Sequence, residues 1–311
     1  MRYSIGRRMK SSFKIVGLGE VLWDLLPAGR QLGGAPANFA YMTSLQGDEG
    51  VVASRVGDDA LGRDALEALA RLGLKPAFLQ KDVDHPTGTA QVTVDPQGQP
   101  AFVITHPVAW DFLQWTPAWQ ALAGSADAVC FGTLAQRSPV ARATIRRFLA
   151  SVSSRTLRVF DVNLRQSFYS RDVLAESFAQ SDIVKLNHEE LPIVAGLLGL
   201  DFKSEPAAAR LLQQKFSLRL VCVTRGAQGS LLVSPHASAS HPGLPVKVAD
   251  TVGAGDAFTA CLVHHCLRGA PLEHINEEAN RLAAWVATQV GGTPGLQGKA
   301  IREVLTPSAK N

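Results

Sequence analysis

The chain has 311 residues, of which 46% are hydrophobic and 19% charged, so it is long enough to bury a large core. Its formal net charge of +4 comes from four basic residues among the first twelve, and the remaining basic and acidic residues balance. This balance argues against a nucleic-acid partner. No apolar run approaches the ~18 residues of a membrane span, which predicts a cytoplasmic protein without a membrane partner.

Residues 1–12 are predicted to be a disordered basic tail, and 13–311 to form one domain. The first half of that domain alternates strand and helix patterns before one hairpin interrupts it. Strands are predicted at 13–19 and 51–55, helices at 33–47 and 57–72, and the hairpin at 88–94 and 101–105. The hairpin is best explained as a small antiparallel flap beside a parallel sheet.

The second half returns to alternation. Strands are predicted at 126–132, 157–161, 183–186, 218–223, 230–233 and 245–248, and helices at 139–152, from 188 onward, and at 205–216, 254–268 and 273–290. Repeated strand–helix units predict an α/β fold with a doubly wound, mainly parallel sheet and helices on both faces. Ligands of such folds bind beyond the carboxyl ends of the strands.

A glycine-rich turn at 250–256 leads into an apolar run that stops at Gly269. A turn that opens a helix presents free backbone N–H groups and the positive end of the helix dipole, which together favour an anion. Gly253 and Gly255 allow the backbone to approach a phosphate closely, since neither has a Cβ. Asp256 would repel that phosphate unless it has a chemical task, and the alternative is that it only caps the helix.

Other polar groups at predicted strand ends are compatible with a nucleotide. Thr224 begins a turn after a strand, and Asn187 and Glu190 offer oxygen ligands on one helical face, suited to Mg²⁺ directly or through water. Asn163 and Arg165 offer an amide and a guanidinium to a transferring phosphate. Each group has a structural alternative, which is an N-cap, a turn or a surface ion pair.

Several familiar motifs are missing from the sequence. It has neither a P-loop consensus nor the third glycine of a dinucleotide fingerprint, so NAD is not expected. It also lacks the zinc-protease, serine-hydrolase and protein-kinase signatures. The four cysteines form no C-x-x-C pair and are predicted to be buried free thiols.

The stretches at 33–38 and 250–256 resemble the two signatures of the ribokinase-like carbohydrate kinases, also called the phosphofructokinase-B family. Asn187-x-x-Glu190 and Thr224-x-Gly226 fit that pattern, and the resemblance covers about 13–300. Several shorter stretches look most like the fructokinase branch, namely 19–24, 131–135 and 161–165. The family implies a Rossmann-like three-layer sandwich with a small β lid, here contributed by about 21–33 and 87–112.

The resemblance also implies residue roles. The catalytic group would be the base Asp256 with an anion hole from the amides of Gly253, Ala254, Gly255 and Asp256. The acceptor and transferred phosphate would contact Asp24, Gly33, Gly34, Asn38, Asn163 and Arg165. ATP would contact Asn187, Thr224, Gly226, Gly229 and Asn280. Mg²⁺ would be organised by Asn187 and Glu190 through water, and a monovalent cation such as K⁺ by Asp250, although this branch need not use one.

The function implied is an ATP-dependent sugar kinase that phosphorylates a primary hydroxyl, with fructose to fructose 6-phosphate as the leading reaction. The alternatives are another acceptor on the same fold (2-keto-3-deoxygluconate, ribose, a nucleoside or a sugar phosphate) or a catalytically silent sugar-binding regulator. The helix N-terminus is expected to keep Asp256 ionised. The lids of such kinases often pair between subunits, so the expected assembly is a homodimer.

Overall fold

The computed structural model describes residues 10–26, 29–94, 100–296 and 301. Its strands are β1 (Lys14–Leu18), β2 (Leu22–Leu26), β3 (Gly29–Gly33), β4 (Glu49–Gly57), β5 (Leu79–Asp82), β6 (Gly88–Val94), β7 (Pro100–Ile104), β8 (Ala128–Gly132), β9 (Leu157–Asp161), β10 (Ile183–Asn187), β11 (Leu220–Thr224), β12 (Ser230–Val233) and β13 (Ser238–His241). Its helices are α1 (Ala35–Leu45), α2 (Ala60–Arg71), α3 (Pro117–Ser125), α4 (Pro139–Ser151), α5 (Arg171–Ala179), α6 (Glu190–Leu197), α7 (Glu205–Lys215), α8 (Ala254–Leu267) and α9 (Leu272–Ala287).

Nine strands form the large sheet in the order β13-β12-β11-β10-β9-β8-β1-β4-β5. The seven strands from β11 to β5 pair in parallel, and β12 pairs antiparallel with both β11 and β13. The predicted doubly wound, mainly parallel sheet is therefore confirmed. The carboxyl ends of the parallel strands meet at one edge, which is where such folds bind ligands.

The strands supply two separate cores because successive side chains point to opposite faces of a sheet. On β1, Val16 and Leu18 pack into the core beneath α3 to α7, whereas Ile15 packs into the core beneath α1, α2, α8 and α9. Helices thus cover both faces, as the three-layer prediction required. Gly17 brings α1 close to β1, since a Cβ there would lie 2.2 Å from the carbonyl oxygen of Pro36.

A second, four-stranded sheet has the order β3-β2-β6-β7. The predicted hairpin is present as β6 and β7, and β2 joins it in parallel through the pairing of β2 with β6. The stretch at 21–33 was predicted to belong to this lid, and β2 and β3 fall within it. The small β sheet is therefore confirmed, with Asp24 lying on its strand β2.

Two local predictions are wrong. No strand forms at 245–248, because Pro242 and Pro245 lack an N–H for a ladder, and the chain pairs earlier as β13. Residues 10–12 are not a disordered tail: Lys10 forms an ion pair with Asp127, and the Ser11 carbonyl accepts a hydrogen bond from Arg268. Residues 1–9 lie outside the described part of the chain.

Some elements escaped prediction altogether. The short edge strand β5 and the helices α3 and α5 have weak or brief apolar patterns. The cysteines follow the prediction: all four are free thiols, three of them buried. Among the described residues, none of the helices combines the length and apolar character needed to cross a lipid bilayer.

Candidate active site

The N-terminus of α1 needs two glycines. Gly34 has a φ of 106°, and a Cβ there would lie 2.5 Å from the carbonyl oxygen of Glu20. At Gly33 a Cβ would lie 2.3 Å from Oδ2 of Asp24. The glycine pair therefore leaves room for the Asp24 carboxylate and lets α1 begin beside the exit of β1.

The turn before α8 is built from equally close contacts. Gly253 is left-handed, with a φ of 77°, and a Cβ there would lie 2.4 Å from Cα of Gly292. A Cβ at Gly255 would lie 3.0 Å from Nζ of Lys185. The N–H of Ala254 donates to the Thr251 carbonyl over a long 3.3 Å, so this amide is partly engaged within the turn.

Asp256 lies in the first turn of α8 and faces α1. Its Oδ2 accepts a hydrogen bond of 2.8 Å from Nδ2 of Asn38, which is buried with 5% exposure. Oδ1 of Asn38 has no partner among the described residues. The contact made by Asp256 is thus to a side chain across the site rather than a cap on its own helix, which favours the catalytic interpretation over the capping one.

Burial raises the pKa of Asp256 to about 6, with Asp161 adding to the rise and the Asn38 hydrogen bond, Lys185 and Arg165 opposing it. The helix N-terminus was expected to keep the carboxylate ionised, and a pKa of about 6 is compatible with that expectation at neutral pH, although burial moves the pKa upward. Removal from water outweighs the helix dipole, whose effect is modest. The carboxylate is still mostly ionised at neutral pH, and it is a stronger base than an exposed aspartate.

Glu20 lines the same pocket as Asp256, together with Asp161, Asn163 and residues of β8 and α1. Its carboxyl is 3% exposed, and Oε2 has no hydrogen-bond partner in the described part of the chain. Burial, with a contribution from Asp256, raises the pKa of Glu20 to about 7. Sequence reasoning noted an acid after β1 but assigned it no role, since its burial depends on packing from α1 and α8.

Asn163 and Arg165 follow β9. Asn163 has a φ of 43°, a left-handed conformation that asparagine tolerates, and it lines the pocket beside Asp256. Arg165 is exposed, yet its charge lowers the pKa values of both Asp24 and Asp256. Burial raises the pKa of Asp24 more than Arg165 lowers it. Asn163 therefore lines the pocket, whereas Asp24 and Arg165 lie outside its lining and interact electrostatically with each other.

Asn187 and Glu190 form a cap for α6. Oδ1 of Asn187 accepts from the N–H groups of Glu189 and Glu190, while the two oxygens of Glu190 accept from the N–H groups of Asn187 and Leu164. Each carboxylate oxygen accepts one of these hydrogen bonds and keeps a second lone pair as a further acceptor. The predicted role of this pair in organising Mg²⁺ through water stays a prediction.

Three predicted ATP contacts lie at or just after the end of β11, whereas another, Asn280, lies on α9. Thr224 ends β11, and Gly226 and Gly229 follow with φ values of 57° and 78°. A Cβ at Gly229 would lie 2.0 Å from the His241 carbonyl oxygen, so this glycine is needed for packing. Nδ2 of Asn280 donates to Ser230 and to the Asn276 carbonyl, which holds the amide inside a buried network.

Asp250 joins two loops near Gly253. Its carboxylate accepts from the N–H of Val252 at 3.0 Å and from the N–H of Gly291 at 2.9 Å. This arrangement shapes the turn where the K⁺ site was predicted. Within the described ranges, no group of three or more His, Cys, Asp or Glu side chains is arranged to hold a metal ion.

Sequence reasoning missed one buried ion pair at this edge of the sheet. Lys185 on β10 pairs with Asp161 on β9, at Nζ–O distances of 3.1 Å and 3.2 Å. The signal available was a lysine inside an otherwise apolar strand. Its partner lies 24 residues away, so only the strand pairing identifies it.

The doubly wound sheet, the small β sheet and the turn that carries Asp256 define the class of ribokinase-like carbohydrate kinases. The family model for pfkB family carbohydrate kinases matches residues 28–298, so this chain belongs to the pfkB family and is a sugar kinase. A fructokinase of Klebsiella pneumoniae is 35% identical over 264 residues, which cover 80% of this chain and 83% of that protein.

Two solved structures share the fold. A sugar kinase of Pyrococcus horikoshii in complex with ATP is 28% identical with a TM-score of 0.76, covering 93% of this chain and 99% of that one. A double mutant of the fructokinase of Vibrio cholerae O395, with fructose, ADP and potassium ion bound, is 26% identical with a TM-score of 0.78. It covers 92% of this chain and 96% of that one.

Proposed function

We propose that this sugar kinase transfers the γ-phosphate of ATP to a primary hydroxyl of a monosaccharide, with fructose to fructose 6-phosphate as the leading reaction. The observation that carries the proposal is the placement of Asp256. This carboxylate lies in the first turn of α8, is held by Asn38 from α1, and has its pKa raised by burial to about 6. A general base works best when its pKa is near the operating pH.

The acceptor site proposed here lies between α1 and the small β sheet. Asp24 and the unpartnered Oδ1 of Asn38 offer acceptors for sugar hydroxyls, beside Gly33 and Gly34. Asp256 takes the proton of the attacking hydroxyl late in the transfer, so a free alkoxide need not form. The amides of the turn that begins at Gly253 and the guanidinium of Arg165 stabilise charge on the transferred phosphoryl group.

ATP in this proposal lies across the exits of β10 and β11, against Thr224, Gly226 and Gly229, with Asn280 near the nucleoside. Mg²⁺, when bound, neutralises charge on the phosphate oxygens. Asn187 and Glu190 hold its waters through the lone pairs that their cap leaves free. A monovalent cation beside Asp250 is the corresponding proposal for K⁺, supported by the potassium ion in the Vibrio cholerae relative.

The proposed acceptor is tested with a coupled assay of ADP release across fructose, ribose, 2-keto-3-deoxygluconate, nucleosides and sugar phosphates. Fructose is expected to give the highest kcat/KM, since the Klebsiella pneumoniae and Vibrio cholerae relatives are fructokinases. A higher value for another acceptor would replace fructose and leave the kinase proposal intact. Sugar binding without turnover on any acceptor would instead favour a silent regulator, in which Asp256 has no proton to accept.

Asp24→Ala is expected to raise the KM for the sugar by about 10- to 100-fold while changing the KM for ATP little, because a hydrogen bond to a charged acceptor contributes about 1.5–3 kcal/mol. Calorimetric titration of the sugar measures the same loss as a Kd. Asp201→Ala is the control, since its carboxylate is exposed in the loop between α6 and α7 and does not line the pocket. An unchanged sugar Kd in Asp24→Ala would remove this residue from the acceptor site.

The pH dependence follows from the raised pKa of Asp256. The ionised carboxylate is the active form, so kcat/KM for the sugar is expected to fall about tenfold per pH unit below pH 6. Above pH 6 the value should level off, apart from a smaller effect of Glu20, whose pKa lies near 7. A profile that stays flat down to pH 5 would contradict the assignment of Asp256 as base.

The homodimer remains a proposal, with the small β sheet as the contact surface. Sedimentation analysis at several protein concentrations measures the assembly directly. A chain that sediments as a monomer at micromolar concentration, while fully active, would show that the lid does not need a second copy.

A further inference from the structure

The sheet face beneath α8 buries an ion pair among apolar side chains. Lys185 and Asp161 lie directly opposite each other on the neighbouring strands β10 and β9, with exposures of only 7% and 5%. Val159, Ile183 and Cys222 pack into the same core. Both oxygens of Asp161 are within 3.2 Å of Nζ of Lys185, so the pair is well formed.

Such a pair is not explained by stability. The free energy lost when two charges are removed from water offsets much of the free energy gained from their attraction. A well-packed apolar pair of similar volume therefore often gives a protein of equal or greater stability. The two strands would fold with apolar residues in place of both charges. The charges therefore need a second explanation, and their position beneath the first turn of α8 suggests one.

Asp161 and Lys185 both contact the start of α8. The hydroxyl of Thr259 donates to Oδ2 of Asp161 at 2.8 Å, and Thr259 lies one turn after Asp256. Nζ of Lys185 lies 3.0 Å from the point that a Cβ of Gly255 would occupy. Asp161 is thus hydrogen-bonded to the helix that carries the base, and Lys185 lies beside the turn whose amides form the proposed anion hole.

The pair also dominates the charge around Asp256. Asp161 raises the pKa of Asp256, whereas Lys185 lowers it. The other titratable or charged groups that face Asp256 from its neighbouring elements are Glu20 after β1, Cys130 on β8 and Arg165 after β9. Burial raises the pKa of the Cys130 thiol well above its usual value, so this thiol stays neutral at the pH of the reaction.

We propose that Lys185 and Asp161 position the first turn of α8 and set the charge balance around Asp256, an inference that rests on Asp256 being the catalytic base. Asp161 anchors the turn through Thr259. Lys185 prevents Asp161 from acting as a second uncompensated anion beside the base. Both are positioning residues, since they act through α8 and Asp256.

Two substitutions are expected to move the acid limb of the kcat/KM profile in opposite directions. Lys185→Met leaves the charge of Asp161 uncompensated, which raises the pKa of Asp256 and moves the acid limb to higher pH by about one unit. Asp161→Asn leaves the charge of Lys185 uncompensated, which lowers that pKa and moves the acid limb to lower pH by about one unit. Lys185 is two residues from Asn187, which is a proposed contact of ATP and Mg²⁺. The profiles are therefore measured at saturating ATP, so that a change in nucleotide binding does not affect them. A Glu20→Gln background removes the carboxyl that titrates near 7. Limbs that stay fixed, or move in the same direction, would overturn the charge-balance part.

The double variant Lys185→Met/Asp161→Asn completes the cycle. It contains neither charge, so its acid limb should return to within about half a pH unit of the parent's. A structural role alone predicts no such reversal. A double variant whose limb stays displaced as in one of the single variants would contradict the balance.

Thr259 tests the positioning part without altering any charge. Thr259→Val removes the hydroxyl that donates to Asp161 and is expected to lower kcat about tenfold without changing the pH profile. Thr259→Ser keeps the hydroxyl, so its kcat should stay within about twofold of the parent's. These variants retain the buried ion pair, so they stay informative even where the single charge variants fail to fold. Parental kcat in Thr259→Val would overturn the anchoring role.

Asp256→Asn is measured beside these variants to separate the two proposals. If Asp256→Asn keeps parental turnover, Asp256 is not the catalytic base, and this inference fails with that assignment while the kinase activity stands. If Asp256→Asn is inactive while the acid limb stays fixed in the charge variants and Thr259→Val turns over normally, only the role of the ion pair fails.

Discussion

Asp256→Asn is expected to lower kcat by roughly 10²–10⁴-fold, because the amide cannot accept the proton of the sugar hydroxyl. The binding of ATP should change little, since the predicted nucleotide contacts lie at the exits of β10 and β11 rather than at α8. The fold should persist as well. Asparagine has the same shape, its carbonyl still accepts the hydrogen bond from Asn38, and the cost of burying a carboxylate disappears.

Three measurements make this prediction specific. Single-turnover kinetics give the chemical step, calorimetry gives the ATP Kd, and thermal unfolding checks that the variant is at least as stable as the parent. Asp172→Asn is the matched control, because Asp172 is also an acid in the first turn of a helix but lies exposed on α5. Undiminished turnover in Asp256→Asn, or an equal loss in Asp172→Asn, would return Asp256 to a capping role.

The sequence revealed the backbone of the site better than its charges. Gly34 and Gly253 were recognisable because each belongs to a glycine-rich turn that opens a helix, and both have positive φ values in the structure. The doubly wound sheet followed from the alternation of apolar strands and helices. These features are local, so a single stretch of sequence contains the whole signal.

The missed features depend on contacts between distant residues. The pairing of Lys185 with Asp161 needs the register of β9 against β10, and the burial of Glu20 needs the packing of α1 and α8 over the sheet. The rise in the pKa of Asp256 is also a tertiary effect, because it comes mainly from burial and from Asp161 on β9, and the helix dipole gives no sign of either. Local pattern cannot report how much water a side chain loses on folding.

Gly253→Ala is expected to lower kcat by roughly 10²–10³-fold, a loss comparable to removing a donor of an oxyanion hole. Alanine at a φ of 77° is strained, and its Cβ would approach Cα of Gly292 to 2.4 Å, so backbone has to move. Gly292 in turn packs against Asn38, which holds the base. The substitution therefore displaces both the amides of the turn and the partner of Asp256.

Gly269→Ala separates strain from displacement. Gly269 follows the other end of α8 with a φ of 69°, and nothing lies within 4 Å of the position of its Cβ. The Gly269→Ala variant should lose about 1 kcal/mol of unfolding free energy, because alanine is strained in the left-handed conformation, and should keep the parental kcat. Denaturant unfolding and steady-state kinetics on both variants make the comparison. If Gly253→Ala loses only the stability that Gly269→Ala loses and turns over normally, the close approach to Gly292 is a packing detail. A selective loss of kcat shows that the turn before α8 must hold its backbone in place for phosphoryl transfer, because charge stabilisation by fixed amides depends on their position.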